Sequence, residues 1–221
     1  PAVTGAPEVA GSGLGMATFL LGMPSAFDRA VLRGYTSERM LRSAFYWQDI
    51  WRVTPKLTLN YGLRYDYIGP DTAANPGGLV NFDIDSGDLL LAGLGDISMT
   101  ANVKSDWNNL APRLGLAYKL TSKTVIRAGF GRSYFISNYG GGFYFLTSTY
   151  PIATQQTISQ ANIRSAVFPI ENGPPAAALP QFPDSGRLPA PRGQLLKHRP
   201  YDNQSEYVDS WNLSVEHQLA S

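Results

Sequence analysis

Leu57-Thr58-Leu59-Asn60-Tyr61-Gly62-Leu63-Arg64-Tyr65-Asp66-Tyr67 decides the reading of this chain. Every odd position is Leu or Tyr, and every even position is Thr, Asn, Gly, Arg or Asp. Successive strand side chains point to opposite faces, so the segment predicts a strand with one greasy and one hydrated face. Just before it, Ala44 to Val53 carries Phe45, Tyr46, Trp47 and Trp51, with rings in both phases. The two arms meet at Val53-Thr54-Pro55-Lys56, where the fixed φ of Pro55 helps a turn and its missing N–H costs nothing. This is a hairpin from Ser43 to Tyr67, with arms of about ten residues, long enough to cross a bilayer as tilted strands.

The pattern repeats. Leu110-Ala111-Pro112-Arg113-Leu114-Gly115-Leu116-Ala117-Tyr118-Lys119-Leu120 has apolar even positions, with Pro112 near the strand start. After a turn at Thr121-Ser122-Lys123, Ile126, Ala128, Phe130 and Tyr134 share a face opposite Arg127, Gly129, Gly131 and Ser133. Arg132 interrupts the apolar phase near the strand end, an interfacial depth where an Arg is tolerated. A further strand is expected over 205–219, with Trp211, Leu213, Val215 and Leu219 in one phase and Ser210, Asn212, Ser214, Glu216 and Gln218 in the other.

Tight turns at one end and connections of about forty (68–108) and about seventy (136–204) residues at the other are too unequal for an ordinary sandwich. Aromatics gather towards the strand ends, as in interfacial girdles. The fold class expected is all-β: an antiparallel, up-and-down transmembrane β-barrel segment of five or six long strands. A soluble sandwich with its apolar face packed inward is the competing pattern. Within the first connection, 79–91 reads as a small hairpin with a Ser-Gly turn. The second holds Gly140-Gly141-Gly142 and a Pro-rich stretch from Pro169 to Pro191, expected to be loop with little regular structure. The short apolar run 15–24 fits either a strand or a short helix.

The formal charge of +1 gives no electrostatic case for nucleic acid, and without cysteine there is no disulfide framework. No stretch is apolar enough for a transmembrane helix, which does not bear on a barrel. Pro1-Ala2-Val3-Thr4 lacks the basic start of a signal peptide. No nucleophile elbow, HExxH or phosphate loop occurs, so neither enzyme activity nor a cofactor is expected. His198 falls in a loop, and His217 near a strand end reads as interfacial. Asp83, Asp85 and Asp88 around Gly87 read as a turn; the spacing is not that of a calcium loop. Arg64, Asp66, Arg113, Lys119 and Arg127 fall on the hydrated face, where they contact an occupant of a lumen or form a cross-strand ion ladder.

Residues 45–66 resemble a barrel hairpin of TonB-dependent outer-membrane receptors, most closely the Oar-like group with a carboxypeptidase-regulatory-like domain. Asn109 to Tyr118 with Thr124 to Gly131 is similar to that group's next hairpin, Ser210 to Leu219 to the strand after it, and Phe19 to Ser25 to a segment ahead of the first. The resemblance implies a bacterial outer-membrane location, turns in the periplasm and long loops outside. The strand directions then alternate without adjustment. It also implies that residues 1–221 are a central piece of a barrel without the plug domain. As an open sheet, such a piece would misfold or associate when alone. The implied function is part of the wall of a receptor for energy-coupled uptake of a scarce nutrient, with siderophore, glycan and peptide all open. The implied partners are outer-membrane lipid, the rest of the barrel and plug, and the TonB complex. Tyr139, Phe143, Tyr144, Phe145 and Tyr150 in the longer loop are candidates for substrate contact. A soluble β-rich binding or hydrolytic protein and a passive porin are the alternatives.

Overall fold

The computed structural model describes residues 4, 13–34, 36–135, 146–161, 165–202 and 204–219. The apolar run near the N-terminus resolves as a short helix, α1 (Gly15–Leu20). Among the described residues twelve strands follow: β1 (Ala26–Leu32), β2 (Glu38–Arg39), β3 (Arg42–Thr54), β4 (Leu57–Ile68), β5 (Thr72–Ala73), β6 (Val80–Phe82), β7 (Asp88–Leu91), β8 (Leu110–Lys119), β9 (Thr124–Phe135), β10 (Ala153–Ser159), β11 (Arg187–Pro189) and β12 (Glu206–His217).

The five long strands form one antiparallel sheet in the order β12-β9-β8-β4-β3. β3 turns into β4 through Pro55-Lys56, with a register shift between Arg52 and Thr54. Thr54 Oγ1 accepts the backbone N–H groups of Lys56 and Leu57, so the side chain closes the turn that Pro55 shapes. Between β8 and β9 the Thr121 hydroxyl donates to Thr124 Oγ1. The two hairpins are themselves paired, β4 against β8 from Leu57↔Tyr118 to Tyr65↔Leu110. The sheet is open, with β3 and β12 as its outer strands.

The hydrophobic core of the molecule lies elsewhere. Leu79, Leu90, Ala92, Ile97, Ala101 and Leu146 with Ala73 make one buried cluster. Val80, Leu89, Leu91 and Ile152 make a second. Both belong to the long connections. The three-stranded sheet β11-β7-β6 runs between them, which explains the uninterrupted Leu89-Leu90-Leu91: a strand covered on both faces needs no polar phase. The described residues of 136–204 carry little regular structure, as expected, but their two short strands are both paired. β10 pairs with β1 from Ala26↔Ser159 to Leu32↔Ala153, and β11 pairs with β7. Together these connections build a cored unit at the end of the five-stranded sheet opposite the tight turns.

Buried polar groups pin this unit. Asn81, fully buried, donates through Nδ2 to the Arg199 carbonyl (2.9 Å) and accepts the Arg199 N–H at Oδ1 (2.7 Å). The Arg199 guanidinium pairs with Asp71 at 2.5 Å, both largely buried. The unit meets the sheet at Asp106, whose Oδ2 accepts the Ser205 N–H (2.7 Å) and whose backbone bridges to Ile68. Asn109, also buried, donates to the Ser205 hydroxyl and accepts the Asp66 N–H at its carbonyl.

Candidate functional site

Residue pairing across the sheet sorts its side chains into two faces. On one face lie five rows. From the turns outward they are Leu57-Tyr118-Ile126-Val215, Trp51-Leu59-Leu116-Ala128-Leu213, Asp49-Tyr61-Leu114-Phe130-Trp211, Trp47-Leu63-Pro112-Arg132-Asp209 and Phe45-Tyr65-Leu110-Tyr134-Tyr207. Rows two residues apart are separated by about 6.8 Å along a strand, so the band is about 27 Å long, or roughly 21 Å deep at a tilt of about 40°. That approaches the apolar belt of an outer-membrane barrel. Aromatic residues mark its outer row and several of its inner positions.

Nothing covers this face among the described residues. Trp47 is 59% exposed, Trp211 80% and Leu213 70%. Each such side chain left in water forgoes roughly 2 kcal/mol, so a continuous apolar surface of this extent needs a non-aqueous neighbour. A soluble sandwich would have packed its core here. This chain packs its core in the connections and leaves the sheet bare.

The two polar interruptions of the apolar face are internally satisfied. Arg132 and Asp209 stand opposite each other and pair bidentately at 2.8 Å, and the Arg132 guanidinium lies 4.0 Å from the Tyr207 ring centroid. Tyr61 donates its hydroxyl to Asp49 at 3.1 Å. Alternation exposes Arg132 as an anomaly. The matching clue, Asp209 in the apolar phase of β12, is visible in the sequence but was missed by reading only Trp211 onward. His217 closes the inner end of that phase, with Nδ1 2.9 Å from the Thr124 hydroxyl.

The opposite face is polar and small. Here the structure places Arg64, Asp66, Arg113, Lys119 and Arg127 together, as alternation assigns them. Arg64 binds Asp66 two residues along β4 at 2.8–2.9 Å, and Arg127 binds Glu216 across to β12 at 2.9 Å. Arg113 and Lys119, together with Arg52 on β3, pair with no carboxylate among the described residues. Arg113 is flanked by Gly62 on β4 and Gly131 on β9. Gly62 is dictated by close approach: a Cβ there would sit 2.7 Å from the Trp47 carbonyl oxygen. A basin of about 170 Å³ opens around it, lined on this face by Tyr46, Gln48, Gly62, Arg64 and Arg113. Sequence reading missed Arg52, Tyr46, Gln48 and Gly62 as one group, because only the pairing of β3, β4 and β8 gathers them.

Of the candidate substrate contacts, Tyr139, Phe143, Tyr144 and Phe145 lie outside the described residues. Tyr150 packs against the cluster of Val80, Leu89, Leu91 and Ile152. Asp83 accepts the Ser86 hydroxyl at 2.8 Å within its turn, and this bond foremost holds its carboxyl below the usual range. Tyr201 beside it is pushed up to about 12, by burial first and then by its hydrogen bond to Asp83. His198 Nδ1 lies 2.6 Å from the Phe82 carbonyl, so that nitrogen carries the proton. Among the described residues no group of His, Asp or Glu has metal-binding geometry.

A family model described as an outer membrane beta barrel domain matches residues 2–221. No curated protein and no solved structure matches the chain.

Proposed function

Because this chain belongs to the outer membrane beta barrel domain family and is part of the wall of a bacterial outer-membrane protein, we propose that its wall encloses the channel of a receptor for TonB-coupled uptake of a scarce nutrient. The observation that carries the reading is the division of labour between sheet and connections. The sheet gives lipid an apolar belt and turns a polar, small-residue face the other way. The described parts of the long connections, outside by the general topology of such barrels, fold into a cored unit and do not trail as polar loops. A preformed outer unit suits capture of a dilute solute, because a binding surface already ordered loses less entropy on binding. The Oar-like pattern of both hairpins and of β12 supports the finer assignment to coupled receptors. On this reading a plug occupies the lumen and the TonB complex pulls on it. The chain contributes wall and outer surface and performs no chemistry.

The test is uptake by cells carrying the receptor, measured with and without collapse of the proton-motive force. Coupled transport falls to the background of receptor-less cells when the force is removed. Uptake that persists undiminished sinks the coupled reading and leaves a passive channel.

A further inference from the structure

We propose that the polar face of the sheet carries an anion-binding station centred on Arg113, which takes a carboxylate or phosphate group of the solute; this rests on the reading of that face as a channel lining. Its cross-strand neighbours, Gly62 and Gly131, have no side chains. Among the described residues the Arg113 guanidinium meets no side chain from either paired position and no carboxylate, and a guanidinium fork fits the two oxygens of a carboxylate or phosphate.

The surroundings favour the same ligand. Arg64 stands one row outward, its charge shared with Asp66 through Nε and Nη2. Tyr46 and Gln48, opposite Arg64 and Gly62, bring a hydroxyl and an amide to the basin. Gln48 Nε2 is held by Asn60 Oδ1 at 2.9 Å, which orients that amide. Inward of Arg113 on the same face lie Arg52 and Lys119, also without a carboxylate partner among the described residues. On the other face the one central cation, Arg132, is neutralised by Asp209. Among the described residues of the sheet strands, the cations without a carboxylate partner (Arg42, Arg52, Arg113 and Lys119) all lie on the polar face, and the last three run from mid-wall towards the tight turns. Rings and strips of Arg and Lys are how pores select anions, and such a field raises the local concentration of a negatively charged solute.

The test uses the whole outer-membrane protein that carries this wall, in detergent micelles, observed through the arginine Nε–H resonances while inorganic phosphate or succinate is added. A saturable shift of the Arg113 signal is expected with at least one of the two. Saturation by succinate alone assigns a carboxylate, and by phosphate alone a phosphoryl group. Arg113→Gln is expected to weaken binding by roughly tenfold or more. Arg127→Gln, which removes a cation already bound to Glu216, is expected to leave binding unchanged. Equal losses in the two variants, or shifts that never saturate with either anion, overturn the proposal. The uptake assay separates the two readings. Force-dependent uptake without anion saturation sinks only the station, and saturation with force-independent uptake sinks only the coupling.

Discussion

Asn81→Ala tests whether the outer connections are a folded body pinned from within. Asn81 is fully buried, and its side chain makes short hydrogen bonds to both the N–H and the C=O of Arg199, at 2.7 and 2.9 Å. A longer contact reaches the Ala101 carbonyl at 3.4 Å. The substitution takes these partners from backbone groups in a dry site. Each deprived group costs about 1–3 kcal/mol, so a loss of about 3 kcal/mol is a moderate expectation. That corresponds to roughly a hundredfold rise in the population of the opened unit. Amide hydrogen exchange reads it directly: Val80, Phe82 and Leu89 to Leu91 should exchange roughly a hundredfold faster, while β8 and β9 keep their protection. Unchanged exchange at these amides would refute the pin. Protection lost equally from β8 and β9 would refute the separation of outer unit and sheet.

Three further outcomes are expected. Leu114→Arg puts a charge at the middle of the apolar band and should cost about 2–4 kcal/mol of folding into bilayers, whereas Ser210→Arg, on the opposite face, should cost less than about 1 kcal/mol; equal costs in denaturant titrations from lipid vesicles would dissolve the assignment of faces. Asp209→Ala leaves Arg132 without its counter-ion on the membrane face and should destabilise more than the double change with Arg132→Ala, so a cycle without coupling counts against this pair. Tyr201 should ionise near pH 12, as read from the ultraviolet difference between the wild type and Tyr201→Phe. Because its folded value lies above the ordinary 10, its contribution to the outer unit is complete below pH 10 and is lost as pH rises through 12; a transition near 10 would show that Tyr201 is not held by burial and Asp83.

The strands of the wall were legible because a period of two survives without knowledge of their neighbours. Leu57 to Tyr67 declares its two faces alone. β1 and β10 were not legible for a physical reason: their half-buried residues include Arg29 and Gln156, joined by a 2.7 Å hydrogen bond, and Thr154. A buried face that is partly polar leaves no hydrophobic period. The outer core was hidden because Leu79 to Ala92, Ile97, Leu146 and Ile152 are scattered over two connections, and only the fold makes them neighbours. The polar-face cations Arg64, Arg113 and Arg127 could be assigned to one face from alternation. That Arg113 stands between two glycines could not, since the register of β4 on β8 is set across the forty-residue connection, where Asn109 and Asp106 fix it.

The placement of the core also has a mechanical consequence. At one rim, each hairpin is closed by a turn of a few residues, and within the sheet only the ladder of β4 on β8 joins one hairpin to the other. At the opposite rim, Asp71 with Arg199, and Asp106 and Asn109 with Ser205, fasten the ends of β4, β8 and β12 to a common dry body. The cored unit is therefore a hasp. The strands cannot fan apart at that rim without breaking its buried contacts, whereas the rim of the tight turns is held by the strand ladders, the Arg127–Glu216 pair and the row from Leu57 to Val215. The rim beneath the cored unit therefore keeps a fixed gauge, and the give in this wall lies at the rim of the tight turns.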